Sequence, residues 1–254
     1  MCGRYTLTVT PVELEALFTV LEIEDFPPRY NIAPTQPILV VAAAHGPSEP
    51  GSNLPDRRAF LVRWGLIPSW AKDPRDLPLL INARAETAAD KNSFKAAMRH
   101  RRALVPASGF YEWRREGGRT GQAYFVRPRG GGTVAFGGLW ESYLAPDGSE
   151  IDTGAILTTR ANAAIASIHD RMPVVVKPEN YGRWLDCRTN EPREIADILE
   201  PVEPDFFEAI PISPKVNKVA NTGPDIQEPI APSSPPPEPA PKVVVEDDRQ
   251  MQLF

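Results

Sequence analysis

Cys2 stands directly behind Met1, in Met1-Cys2-Gly3-Arg4-Tyr5. Cysteine is small enough for the initiator methionine to be removed ahead of it. Removal leaves an α-amine and a thiol two carbons apart. Unperturbed, these groups titrate near ~7.7–8.0 and ~8.5, so both are partly available as nucleophiles at neutral pH. A 1,2-aminothiol condenses with an aldehyde: the amine forms a Schiff base and the thiol closes it to a five-membered thiazolidine. No internal cysteine can do this. The competing reading is an ordinary small residue behind an initiator, and other residues must decide between the two.

Three other positions have the chemistry to assist. Glu112 lies in Gly109-Phe110-Tyr111-Glu112-Trp113. A carboxylate flanked by aromatics on a strand is desolvated when it faces inward, which raises its pKa and suits it to proton transfer. Strand alternation equally permits it to face water. Of the three histidines, His45 falls in a loop-like stretch and His100 in the basic run Arg99-His100-Arg101-Arg102. His169 sits in Ile168-His169-Asp170-Arg171-Met172-Pro173, between a helical pattern and the apolar run Val174–Val176. Loops at the ends of rigid elements present catalytic groups, and Asp170 and Arg171 could tune it. Asn82 follows three apolar residues in Leu79-Leu80-Ile81-Asn82-Ala83-Arg84, either as a turn former or as an oriented amide. Arg84, two residues on, could contact phosphate. Two cysteines and three scattered histidines have no metal-ligand spacing, so neither metal nor other cofactor is expected.

The elements that must position these groups are mostly short strands. β-rich runs occur at 37–44, 59–64, 103–106, 109–113, 124–127, 133–140, 154–159 and 173–176, with 206–210 a further candidate. Gly117-Gly118, Gly130-Gly131-Gly132 and Pro146-Asp147-Gly148 punctuate them. Thr10-Pro11-Val12-Glu13 reads as a capping box opening a helix to about Leu21. Further helices are expected at 92–100, 162–168, 178–185 and 192–199. Strands outnumber helices without βαβ alternation, which predicts an α+β fold with a mainly antiparallel, open barrel-like sheet.

Seven of the fourteen residues from Glu228 to Pro241 are proline, and an acidic end follows. Residues 1–227 are therefore read as one folded domain and 228–254 as an extended tail. The sequence shows no basic-then-apolar leader and no run of 18 apolar residues, and two cysteines make no disulfide framework. The expectation is a soluble cytoplasmic, nucleoid-associated monomer that does not meet a membrane. The net charge of -5 conceals segregation: residues 57–129 hold 16 of the 28 Lys and Arg against 6 Asp and Glu. That suggests a local basic surface. Within it, Trp64 reads as core, whereas Trp70, between Ser69 and Ala71-Lys72, is the better surface residue for stacking on a base.

Six motifs taken together resemble the SOS-response-associated peptidase (SRAP) family, of the abasic-site-processing, 5-hydroxymethylcytosine-binding type. They are Cys2-Gly3-Arg4-Tyr5, Arg29-Tyr30-Asn31-Ile32-Ala33-Pro34-Thr35, Trp64-Gly65-Leu66-Ile67-Pro68-Ser69-Trp70, Asn82-Ala83-Arg84-Ala85-Glu86-Thr87, Pro106-Ala107-Ser108-Gly109-Phe110-Tyr111-Glu112-Trp113 and Ile168-His169-Asp170-Arg171-Met172-Pro173. They run in order from residue 2 to about residue 220. The resemblance implies a compact fold with a basic DNA groove and covalent capture of abasic sites in single-stranded DNA, with AP-lyase chemistry as a side activity. By similarity Cys2 is the nucleophile and Asn82, Glu112 and His169 complete the site. Also by similarity, Arg4, Asn31, Pro34, Trp70, Arg84 and Thr158 line the DNA path.

Two readings compete: a thiol (auto)peptidase using Cys2 and His169, and a non-catalytic single-stranded DNA-binding module. Separately, Gln250-Met251-Gln252-Leu253-Phe254 resembles the short peptides that dock on the bacterial sliding clamp. Gln250 would anchor by hydrogen bonds and Leu253 and Phe254 would fill an apolar pocket, with the proline-rich tail as tether.

Overall fold

The computed structural model describes residues 2–44, 56–116 and 119–231. His45 and the clamp-like end at Gln250, Leu253 and Phe254 lie outside the described residues. In chain order the strands are β1 (Tyr5–Leu7), β2 (Arg29–Ile32), β3 (Pro37–Ala43), β4 (Arg57–Trp64), β5 (Asn82–Arg84), β6 (Arg102–Ala107), β7 (Gly109–Glu116), β8 (Arg119–Pro128), β9 (Val134–Leu144), β10 (Glu150–Arg160), β11 (Arg171–Pro173), β12 (Val175–Val176) and β13 (Phe207–Ile212). The helices are α1 (Pro11–Phe18), α2 (Ala85–Ala88), α3 (Lys95–His100) and α4 (Tyr181–Leu185).

The long hairpin β9–β10 organises the molecule. Its turn has the chemistry hairpins need: Gly148 takes φ +85°, and the Asp147 carboxylate accepts from the Ser149 amide at 2.9 Å. From this hairpin the sheet closes on itself. β9 pairs with β10, β10 with β4, β4 with β3, β3 with β6, and β6 back to β9. All but the β10–β4 contact are antiparallel. The ring thus closes the barrel-like sheet predicted from the sequence and removes its free edges. A second antiparallel sheet, ordered β13-β8-β7-β1-β2, packs against it. Side chains of both fill a common core: Tyr5 of β1 meets Trp64 edge-on with ring centroids 5.4 Å apart, and Phe110 of β7 meets Phe136 at 5.9 Å.

Helix α1 begins as expected. Thr10 Oγ1 accepts from the Glu13 amide, and Glu13 Oε2 accepts from the Thr10 amide at 2.8 Å. It ends at Phe18, short of Leu21, because Thr19 adopts the left-handed region at φ 53°. Residues 162–168 are not the helix that periodicity suggested. They form successive turns anchored by Asn162, whose Oδ1 accepts from the Ile165 amide while its Nδ2 donates to Val202 O and Glu203 O. A side chain that binds neighbouring backbone offers the chain an alternative to the helix. Past the predicted end at Gln227, Ile230 N donates to Pro211 O at 2.9 Å, so contact with β13 continues three residues further. No helix among the described residues is long and apolar enough to cross a membrane.

Candidate active site

Strands β1 and β7 bring the first two groups together. Their antiparallel register pairs Tyr5 with Phe110 and Thr6 with Gly109. The Tyr111 amide donates to Arg4 O at 3.0 Å, and continuing the register sets Gly3 opposite Glu112 with Cys2 just beyond. Alternation along β7 sends Phe110 into the main core and Tyr111 and Trp113 to a second apolar cluster on the other face. Glu112 shares the side of Phe110 and is only 2% exposed. Burial disfavours its charged form and lifts its carboxyl to about 7, with the charge of Asp170 acting in the same direction. Cys2 is fully buried, with Sγ 3.9 Å from Arg4 O. Burial pushes its thiol up, and the neighbouring Glu112 charge adds to that effect. The resting thiol is therefore protonated, and reaction needs a base beside it.

Asn82 arrives from the barrel. Short β5 lies parallel to β10, with Asn82 opposite Ile156. The preceding carbonyl, Ile81 O, accepts from Trp64 Nε1 at 2.9 Å and from the Ile156 amide at 3.0 Å. Trp64 is fully buried, so a core side chain fixes the backbone next to Asn82. Gly65 follows at φ +132°, a conformation that L side chains rarely adopt, so a larger residue there would strain the turn beside Asn82. Asn82 Nδ2 donates to Cys2 O at 2.9 Å. Its buried Oδ1 meets no hydrogen-bond partner among the described residues, which leaves an acceptor ready for an ammonium or hydroxyl.

His169 closes the turns between β10 and β11. Its amide donates to Ile165 O at 3.0 Å, and Ala161 N donates to Asp170 O at 2.9 Å. Two groups contact Nδ1. The Arg171 amide donates to it at 2.9 Å, and Asp170 Oδ1 lies 3.0 Å away. These partners suit different protonation states. When Nδ1 accepts from Arg171, a neutral ring carries its proton on Nε2. When Nδ1 is protonated it faces Asp170 instead, and Nε2 can then give up or take a proton. Asp170 also acts electrostatically on Glu112, which couples this loop to β7.

The remaining predicted residues divide. Trp70 is 55% exposed with its Nε1 donating to Asn92 O, and Arg84 is exposed. Pro34 is half-buried in the turn that Thr35 N ties to Trp64 O at 2.8 Å. Arg4, Asn31 and Thr158 turn inward. Arg4 Nη1 donates to Asn31 Oδ1 at 2.8 Å and to Val216 O at 2.9 Å. Asn31 Nδ2 donates to Val216 O, Lys218 O and Asn221 O, so the pair straps residues 216–221 over β1 and β2. Thr158 is fully buried, and Arg171 donates to its carbonyl. His100 ends α3 and lines a separate cleft with Cys187.

Folding neutralises or buries part of the basic stretch, while Lys72, Arg84, Lys91 and Lys95 stay exposed. Arg99, Arg101 and Arg127 pair with Glu191, Glu141 and Glu208, all from beyond residue 129. Arg102 is buried and donates to four backbone carbonyls. At the three paired positions charges segregated in the sequence meet in space. Sequence reasoning also passed over Glu86 and the 216–221 segment; for Glu86 the signal was its place in the Asn82–Thr87 motif.

A closed barrel with a second antiparallel sheet packed against it thus holds a buried thiol beside a raised carboxyl and an amide that grips the same residue's carbonyl. Residues 1–219 match the family model described as SOS response associated peptidase (SRAP), and the chain belongs to that family. It is 36% identical over 231 residues to the abasic site processing protein YoqW of Bacillus subtilis, covering 90% of this chain and 99% of that one. It is 33% identical over 238 residues to the abasic site processing protein YedK of Escherichia coli, covering 91% and 100%. A solved structure from Bacteroides thetaiotaomicron shares the fold with TM-score 0.78 at 24% identity, covering 91% of this chain and all of that one.

Proposed function

We propose that this protein processes abasic sites by capturing them covalently in single-stranded DNA through Cys2. The observation that carries the reading is the placement of Cys2: its carbonyl is held by Asn82 at 2.9 Å, and its thiol lies under the influence of a carboxyl that titrates at about 7. Such a carboxyl is both donor and acceptor at neutral pH.

The reaction begins with the methionine removed and the Cys2 amine free. His169 protonates the ring oxygen of the closed sugar while the anomeric hydroxyl gives up its proton to water, and the ring opens to the aldehyde. The amine adds to the aldehyde carbon and water leaves, giving a Schiff base. The thiol then adds across the carbon–nitrogen double bond, its proton passing through Glu112 to the nitrogen. The product is a thiazolidine; no oxidant or reductant is needed. If the Schiff base persists, β-elimination breaks the strand, which is the lyase side reaction. Asn82 Oδ1 holds the amine or a sugar hydroxyl. Trp70 and Arg84 supply stacking and phosphate contact at the surface, and Arg4, Asn31 and Thr158 shape the walls of the DNA path from inside.

The test is a denaturing gel of mature protein incubated with abasic single-stranded DNA. A covalent species that disappears in Cys2→Ala supports the reading, and an equal species in Cys2→Ala overturns it. For the tail we propose sliding-clamp docking through Gln250, Leu253 and Phe254; clamp pull-down unaffected by deleting 250–254 would end that idea.

A further inference from the structure

The strongest feature not used so far is an ion pair that crosses β10. Strand β5 with Asn82 and Arg84 lies on one edge of β10, and β11 on the other, with Thr158 opposite both Arg84 and Pro173. Arg171, the first residue of β11, reaches across this strand. Its Nη1 and Nη2 donate to Glu86 Oε1 and Oε2 at 2.6 and 2.8 Å, and Nη2 also donates to Thr158 O at 2.5 Å. The fork-on-fork geometry fixes both the position and the plane of the guanidinium. The arginine side chain is only 13% exposed, so the guanidinium end of the pair is largely out of water while the carboxylate end meets it. Glu86 stands in α2, directly after β5. The same Arg171 donates its backbone N–H to His169 Nδ1.

We infer that Glu86 is a positioning residue for His169, acting through Arg171. The carboxylate anchors the guanidinium, the anchored side chain holds the Arg171 backbone, and that amide holds the imidazole with its neutral proton on Nε2. Because Glu86 and Asn82 belong to one continuous segment, the clamp also sets the distance between the imidazole and the amide that grips Cys2. Glu86 itself touches none of the four reacting groups among the described contacts. The inference rests on the proposed role of His169 in opening the sugar.

Two measurements on Glu86→Ala decide it. Glu86 is half-exposed at 49%, so the variant is expected to fold. In single-turnover cross-linking at saturating abasic single-stranded DNA, removing an orienting partner should slow the reaction by about tenfold, without weakening DNA affinity. Added to His169→Ala, Glu86→Ala should cause no further loss. Independent losses in the double variant, or a wild-type rate in the single one, overturn the inference. The second measurement is nitrogen-15 NMR of the His169 ring. Wild type should show Nδ1 as acceptor, and Glu86→Ala a mixture of tautomers; an unchanged tautomer overturns the inference. If the wild-type protein forms no adduct, the proposed function fails, and NMR still decides the positioning role alone.

Discussion

In the proposed function Glu112 and His169 serve one site from opposite environments. Glu112 stands on a strand, 2% exposed, on the same face as Phe110, and its chemistry is set by removal of water. His169 stands in a run of turns, where the Arg171 amide and Asp170 Oδ1 both meet its Nδ1. The difference teaches that a site can tune one proton carrier by burial and another by hydrogen-bond partners. Burial is robust to surface mutation and sensitive to the core, whereas partner control has the reverse sensitivity.

Four outcomes would sharpen or break this contrast. Glu112→Gln keeps the shape and removes the proton carrier, so cross-linking should slow by about 10²–10⁴-fold in a single-turnover assay. A rate within a factor of about two of wild type would remove Glu112 from the chemistry. Phe110→Ala attacks burial directly. Phe110 packs edge-on against Phe136 and Phe207, and its truncation should cost about 3–5 kcal/mol in denaturant melts. Water entering the cavity should also move the Glu112 carboxyl back toward its usual range.

The third outcome reads burial as a pH effect. The folded carboxyl titrates at about 7 against an ordinary 4.5, so between those values the folded state holds a proton that the unfolded state has released. This stability is fully present below about pH 4.5 and is lost as pH rises through about 7. It amounts to roughly 3 kcal/mol at ~1.36 kcal/mol per unit. Glu112→Gln should flatten that part of the profile, measured by urea melts at about pH 5 and about pH 8. The smallest effect belongs to Asp170→Asn. Asp170 is 86% exposed, and solvent and salt screen it. Cross-linking should slow by no more than about fivefold, and raising the salt should shrink the difference.

Each residue proposed for the chemistry carried a local signal in the sequence. Cys2 was marked by its position, Glu112 by flanking aromatics, and His169 by the loop before an apolar strand. The strands of the barrel were legible from their β-rich runs, and the α1 cap from its four residues. Less was legible where the signal was short or distant. β1, β2 and β5 have three or four residues each, too few for a pattern, and their pairing partners lie far along the chain. The turns at 162–168 imitate a helix in composition, and only the far carbonyls of Val202 and Glu203 explain why Asn162 draws the backbone elsewhere. Which members of the basic stretch are neutralised was hidden for the same reason: the carboxylate partners of Arg99, Arg101 and Arg127 come from the acidic second half. Arg4 and Asn31 line the DNA path by resemblance; that their side chains also strap residues 216–221, with Asn31 reaching across 185 residues to Val216, is a contact no local motif reports.

The most direct test of the account is intact mass spectrometry of the mature protein after incubation with an abasic single-stranded oligonucleotide. It predicts a single adduct, one water lighter than the sum of protein and oligonucleotide, mapping to a Cys2 whose amine and thiol are both blocked. Inserting alanine ahead of Cys2 should abolish the thiazolidine although the thiol remains. An adduct formed equally well by the insertion variant, or one in which the Cys2 thiol still reacts with a maleimide, would contradict it.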